Sequence, residues 1–376
     1  MILKKIELYN FRNYGKLSVR FNKGINIVYG DNAQGKTNLL ESIYVLGLTK
    51  SHRSFIDNNL IKDDEEFLVI KGLISGDPLD KELKIQIDNK SKTFNIDNSV
   101  IKKVSDYISN MNIIIFCPDD LEVIKGLPQE RRHFLNTELS QLYNGYYIVN
   151  NDYNKLLRIR NEYLRKMNQK QKVDKNYFDI ITTYLIEKAI TIYQYRYKYI
   201  EKINEYCGEI YKDIAGLENF HVEYISNLEI EDIKEDKLKE KITKQFEDKL
   251  EYDTKVSMTT IGPHKDDIIF MLGDKNLKTY GSQGQQRIAV LTLKLSEIPI
   301  FKKYKESNPI LLLDDVFSEL SDEKKNNLMK YINKDIQTII TTTELNSLDK
   351  KLIKKSKLFK IEEGTIKKIK EENDYE

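Results

Sequence analysis

Residues 30–37 read Gly-Asp-Asn-Ala-Gln-Gly-Lys-Thr, the spacing G-x-x-x-x-G-K-[ST] that holds phosphates. Gly30 and Gly35 permit backbone torsions that a side chain forbids, so the N–H groups of Asp31, Asn32, Ala33 and Gln34 can turn toward anionic oxygens. Lys36 is expected to reach the β and γ phosphates of a nucleoside triphosphate, and the Thr37 hydroxyl to help hold Mg²⁺. Residues 308–315, Asn-Pro-Ile-Leu-Leu-Leu-Asp-Asp, end an apolar run in paired acids. Asp314 suits water-mediated contact with Mg²⁺, and Asp315 suits orienting or deprotonating an attacking water. A second glycine-centred stretch, Gly-Ser-Gln-Gly-Gln-Gln-Arg at 281–287, offers the Ser282 hydroxyl, the free Gly284 N–H and Gln285 as a further anion site. Together these residue types bind and hydrolyse a triphosphate.

The elements that must position them are legible around each motif. An apolar strand at residues 25–29 runs into the first loop, and an amphipathic helix is expected to begin near Lys36. Four apolar residues before Asp314 read as a buried strand of a parallel α/β sheet, whose carboxyl edge is where ligands gather. Ile288, Leu291, Leu293 and Leu295 place a helix directly after the second glycine stretch. Residues 67–74, 82–88 and 92–97 read as strands separated by Gly, Pro and Asn turns. Helical spacing then takes over, at Tyr153, Leu156, Leu157, Leu164 and Met167 and again at Ile181, Leu185, Ile192, Ile200 and Ile203, with a polar break at 168–176. The expected division is 1–117, which carries the phosphate loop; 118–250, a helical lobe; and 251–376, which carries the second glycine stretch and the paired acids. The last residues are expected to form a strand or turn and then a frayed tail.

Composition narrows the class. The chain has 376 residues, 40% hydrophobic and 32% charged, which reads as globular and not disordered. No apolar run approaches the roughly 20 residues that cross a bilayer, and the opening residues lack the apolar stretch of a signal peptide. Cys117 and Cys207 are too few for a disulfide framework, so a cytoplasmic location without membrane contact is expected. Net charge is +2, from 61 basic and 59 acidic residues, so a nucleic-acid surface requires local segregation of charge.

A lone P-loop enzyme has no use for Gly-Ser-Gln-Gly-Gln. In ABC-type ATPases the corresponding signature opens a helix on one copy and caps the nucleotide held by another, and its order ahead of the paired acids is the same here. Residues 2–345 resemble the RecF family of SMC-like bacterial recombination-repair ATPases. The resemblance is carried by "LYNFRNYGKLSVRFNKGINIVYGDNAQGKTNLLESIYVLGLTKSHRS", "FCPDDLEVIKGLPQERRHFLN", "GPHKDD", "GSQGQQR" and "ILLLDDVFSELS". It implies an α/β, ABC/SMC-type P-loop ATPase head with a helical second lobe inserted. It also implies an ATP-dependent homodimer on duplex DNA at single-strand gap junctions, working with RecR and RecO to assist RecA loading in replication, repair and the SOS response. A weak, DNA-dependent ATPase is implied, with Asp315 where many relatives carry Glu and Thr343 where a switch histidine commonly stands. The Q-loop position falls near Asp119 and Asp120 without a clear match. An ABC transporter subunit is the alternative; the helical insert, Thr343 and the "NFRNY" opening argue against it.

Several residues admit two readings. Arg12 either approaches nucleotide phosphates, as N-terminal arginines do in SMC-type heads, or forms an ion pair on a strand turn. Lys155, Arg158, Arg160, Arg165, Lys166, Lys170 and Lys172, preceded by Arg131 and Arg132, are either a DNA-backbone surface or a solvated helix face. Lys50, His52, Arg53 and Lys265 belong to polar stretches beside the nucleotide or DNA, and His264 is equally a hydrogen-bonded structural residue. The tyrosines of residues 193–199 read as helix packing.

Overall fold

Alternating apolar and polar residues open the chain, and the first strands pair accordingly. The computed structural model describes residues 1–54, 56–75, 79–228, 234–332 and 335–370, and of residues 319, 347 and 368 the backbone alone. Strands β1 (Leu3–Phe11), β2 (Tyr14–Arg20) and β3 (Ile25–Tyr29) lead to helix α1 (Lys36–Leu48). Next come β4 (Phe67–Ile74), β5 (Lys81–Asp88), β6 (Lys92–Ile96), β7 (Ser99–Val100), α2 (Val104–Ile108) and β8 (Ile113–Phe116). Helices α3 (Glu122–Lys125), α4 (Pro128–Leu142), α5 (Tyr146–Asn168) and α6 (Lys175–Ala215) fill the middle of the chain. They are followed by β9 (Phe220–Ile225), α7 (Glu235–Asp248), α8 (Leu250–Val256), β10 (Asp267–Leu272), β11 (Lys275–Asn276) and α9 (Leu277–Tyr280). Then come α10 (Gln283–Lys305), β12 (Ile310–Asp314), α11 (Asp322–Tyr331) and β13 (Thr338–Thr342). The final described elements are α12 (Lys350–Lys354), β14 (Lys357–Glu362) and β15 (Thr365–Lys370). The frayed tail expected at 371–376 lies outside the described residues.

Two compact units divide the chain: residues 1–120, 213–216 and 291 onward in the first, residues 121–212 and 217–290 in the second. In the first unit one sheet has the order β15-β14-β3-β13-β12-β8. Its strands from β14 to β8 run parallel, and β15 pairs antiparallel at the edge. Every residue of β8, β12 and β13 is buried, as a strand covered on both faces requires. The other sheet is antiparallel, β2-β1-β4-β5-β6-β7.

Helix α1 lies between these two sheets, and here the expectation of amphipathicity fails. Leu39, Leu40, Glu41, Ser42, Ile43, Tyr44, Val45, Leu46, Gly47 and Leu48 are all buried, because a helix sheathed on both sides has no solvent face. Glycines set the closeness of approach. A Cβ on Gly47 would stand 2.6 Å from Ile113 in β8, and one on Gly72 in β4 would stand 2.2 Å from Leu46.

In the second unit α5 and α6 form the expected antiparallel pair around residues 168–175, beside a three-stranded sheet β11-β10-β9. Two of the clustered arginines are not surface residues. Arg160 is 1% exposed and donates to Asp253 (2.9 Å) and Thr259 (2.6 Å), with its guanidinium near the Phe178 and Phe246 rings. Arg131 is buried in a bidentate pair with Asp267 (2.6 and 2.8 Å). A charge taken from water needs a fixed counter-charge, and both arginines have one. His264 is structural as well, bonded through Nε2 to the Thr259 carbonyl (3.0 Å) and through Nδ1 to the Tyr153 hydroxyl (2.6 Å). Tyr193 and Tyr199 are buried, and Tyr197 packs on Tyr224, as helix packing requires. Among the described residues no helix is long and apolar enough to cross a membrane.

Candidate nucleotide-binding site

Parallel register brings the ends of β3, β13, β12 and β8 to one edge of the sheet in the first unit, and each continues there into a functional segment. β3 ends at Tyr29, and residues 30–35 turn back into α1. Gly30 has φ 151° and Gly35 φ 113°. A Cβ at Gly30 would meet the Ile361 carbonyl oxygen at 2.3 Å, and one at Gly35 would meet Asn13 and the Tyr14 hydroxyl below 3 Å, so both positions exclude a side chain. Asp31, Asn32 and Ala33 are exposed, and Ala33 also adopts positive φ, 63°. Gly35 caps α1 with no side-chain bond to the helix N-terminus, which leaves its positive end for an anion.

The loop is held from behind. The Gln34 side-chain oxygen accepts the Glu363 N–H at 2.6 Å, and its carbonyl accepts the Gly364 N–H at 3.1 Å and the Asn13 amide at 3.2 Å. Lys36 Nζ bonds back to the carbonyls of Gly30 (2.6 Å) and Asp31 (2.7 Å). Burial pulls its pKa below the ordinary lysine value, opposed by Asp315, Asp314 and Asp31.

From β12, Asp314 meets this loop. The Thr37 hydroxyl donates to Asp314 Oδ1 at 3.1 Å, and Thr341 on β13 donates to the same atom at 2.5 Å. Thr341 also accepts the Asp315 N–H at 3.0 Å. Asp315 itself has φ 53°, and its Oδ1 is buried with no hydrogen-bond partner. Burial, with Asp314 adding to it, raises its pKa above the ordinary carboxylate value. An unpaired buried acceptor at a left-handed residue is a costly arrangement.

The donor set fits Mg²⁺. Among the described residues no three His, Cys, Asp or Glu side chains gather into a metal cage. A hydroxyl and one carboxylate, with the remaining positions left to phosphate oxygens and water, is how magnesium is held beside a nucleotide.

Arg12 is engaged with a buried acid. Its Nε and Nη2 form a bidentate pair with Glu41 (3.0 and 2.7 Å), and Nη1 donates to the Asn59 carbonyl at 2.6 Å. Ser51 donates to the same Glu41 at 2.5 Å, and Arg53 stands 3.6 Å away. The Arg12 and Ser51 bonds hold the Glu41 carboxyl below its ordinary value in spite of burial. His52 packs edge-on to Tyr44 at 5.0 Å with both ring nitrogens unpartnered, and burial lowers its pKa. Asp120 accepts the Cys117 N–H at 2.7 Å, while Asp119 is exposed.

Ser282, Gly284 and Gln285 belong to the second unit, where they open α10. Ser282 N–H donates to Gln285 Oε1 (2.8 Å) and Gln285 N–H to Ser282 Oγ (3.3 Å), a reciprocal capping box. A Cβ on Gly284 would meet nothing within 4 Å. The fold gives no steric reason for glycine there.

Sequence reasoning missed Thr341, Glu41 and the 363–364 turn. The threonines that end β13 and the Glu-Gly turn are visible signals, but Thr341 pairs with Asp314 on another strand, and the turn pairs with Gln34, 329 positions away.

Residues 2–367 match the family model described as the RecF/RecN/SMC N terminal domain. The DNA replication and repair protein RecF of Pediococcus pentosaceus is 37% identical over 374 residues, 99% of this chain and 100% of the relative. RecF of Bacillus thuringiensis is 38% identical over 368 residues, covering 97% and 98%. A solved structure of the recombination mediator protein RecF with ATP in the RecFOR pathway aligns with TM-score 0.89 and 32% identity, over 98% of this chain and 97% of that one. An Smc head bound to the C-winged helix domain of ScpA aligns with TM-score 0.54 at 18% identity over 98% and 97%, a likeness of fold alone. The architecture is an α/β ATPase head of the ABC/SMC type, and the chain belongs to the RecF/RecN/SMC family and, within it, to the RecF proteins.

Proposed function

We propose that this protein is an ATP-dependent DNA-binding protein and recombination mediator in DNA repair. The observation that carries the reading is the Thr37–Asp314 contact at 3.1 Å, with Lys36 beside it, in a chain 37% identical to a RecF protein over its length. In this reading the N–H groups of residues 31–35 and the α1 N-terminus bind the phosphates. Lys36 leaves the loop carbonyls for the β and γ oxygens, and Thr37 and Asp314 hold Mg²⁺. Magnesium, when bound, neutralises charge building on the bridging and terminal phosphate oxygens. Asp315 accepts a proton from, or orients, the attacking water through its free oxygen.

Ser282, Gly284 and Gln285 then serve a second copy. Opposite the γ-phosphate of that copy, the open space at Gly284 lets an oxygen approach the backbone, and the capping box gives way to phosphate contacts. ATP thus joins two copies, and slow hydrolysis releases them, a switch by differential affinity for closed and open states. Duplex DNA at single-strand gap junctions is the proposed substrate surface, with RecR as direct partner and RecO and RecA acting through it, in repair, replication and the SOS response. The transporter-subunit alternative is not favoured, because the full-length relatives are RecF proteins.

The test is ATP turnover per chain at rising protein concentration, with and without duplex DNA. A slow rate that climbs with both is expected. A rate flat in both would replace the two-copy reading with a monomeric enzyme.

A further inference from the structure

The opposite edge of the same parallel sheet carries a second concave surface. Residues entering β3, the end of α11 and helix α12 line an open cavity of about 980 Å³ in the first unit. All three segments lie at the amino-terminal ends of strands β3, β13 and β14, so the cavity is separated from loop 30–37 by the length of β3. Its rim holds the exposed Lys23, Lys330, Lys351 and Lys355. None of these four ammonium groups has an ion pair or hydrogen bond among the described residues. One carboxylate lines the cavity, and it is already used: Asp349 caps α12 by accepting the N–H groups of Lys351 (2.6 Å) and Leu352 (3.4 Å). The cavity is also lined by the half-buried side chains of Ile25 and Met329, over the buried Ile332 and Leu352.

Four unpaired cations around one site repel each other and gain from any anion that enters. The apolar side chains among them narrow the choice of anion. A phosphodiester backbone presents charge without an apolar group to use Ile25 and Met329. A peptide carrying carboxylates beside an apolar side chain uses both. We propose that this cavity is a docking site for an acidic segment of a partner protein, with an apolar anchor residue against Ile25 and Met329. Docking there leaves the nucleotide edge free, so a partner can be held through the ATP cycle.

The probe is a fluorescein-labelled octapeptide alternating glutamate and leucine, titrated by anisotropy with the full chain. Saturable binding is expected, weakened about tenfold or more in a Lys351→Glu/Lys355→Glu variant, since reversed charges at a rim repel the ligand they once attracted. The same peptide with lysine for glutamate should not bind. ATP affinity and thermal midpoint of the variant should match the parent, which separates lost docking from lost folding. Peptide binding unchanged by the two reversals would overturn the assignment. So would a duplex oligonucleotide that is the only ligand weakened by them. Binding that emerges only after deletion of residues 371–376 would make the chain's own acidic end the occupant in place of a partner.

Discussion

The Thr37 hydroxyl reaches Asp314 at 3.1 Å across 277 positions of chain. The loop-to-helix turn and the end of β12 are therefore held in contact by the protein's own side chains. Pre-set geometry of this kind lowers the entropy lost on binding.

Lys36→Ala should weaken ATP binding severely. The ammonium group, now bonded to the Gly30 and Asp31 carbonyls, is the cation placed to follow the phosphates. Charge-assisted contacts of this kind contribute about 2–3 kcal/mol, so calorimetric titration should show affinity falling by roughly two orders of magnitude. Retained affinity would mean that the loop does not hold the nucleotide.

Asp315→Asn should keep ATP binding and lose turnover by about 10²–10⁴-fold, the usual worth of a positioned general base. Asparagine tolerates the left-handed backbone at φ 53°, so the fold is preserved. The folded carboxyl titrates above the unfolded one, so the folded state holds its proton more tightly and loses stability as pH rises through the raised value. The parent's turnover should fall as pH drops through that same range. At neutral pH the asparagine variant should melt no lower than the parent. A variant that melts lower, or still hydrolyses ATP at the parent rate, would remove Asp315 from the role.

Gly284→Ala should separate stability from assembly. The position is helical with open space around it, so alanine should stabilise the chain by about 0.5 kcal/mol. The same methyl group would block approach of a second copy's γ-phosphate. Sedimentation should show ATP bound to a more stable monomer that no longer pairs. ATP-driven dimers of this variant would count against two half-sites.

Arg160→Met should act on folding alone. Removing the cation strands Asp253, which is fully buried, and breaking such a pair costs about 3–5 kcal/mol. Thermal denaturation should report the loss, whereas DNA affinity of the folded fraction should be unchanged. A selective loss of DNA binding would return Arg160 to the surface reading.

Local patterns carried much of this architecture. The strands at 67–74 and 82–88, the helical pair around 168–175 and the helix after Gly281 follow from period and punctuation, which depend on neighbours in sequence. What periodicity misjudged was α1, because a second sheet covers the face that would otherwise meet water. Charge counting likewise misplaced Arg131 and Arg160: a run of basic residues says nothing about Asp253 or Asp267, which stand far along the chain and neutralise them. The turn between β3 and α1 was readable from Gly30 and Gly35 and from the strand and helix that flank it. Its supports were not, since Thr341, Glu41 and the 363–364 turn act through partners that only the fold brings near.

One of those supports sets an order on the life of the molecule. Gln34 is translated almost first, yet two of the donors that brace it belong to residues 363 and 364. A nascent chain that has emerged only as far as the paired acids already carries Lys36, Thr37, Asp314 and Asp315 and lacks the hairpin that steadies the loop. Bracing of that loop therefore arrives late in synthesis, and a chain cut short before residue 363 leaves Gln34 without two of its donors.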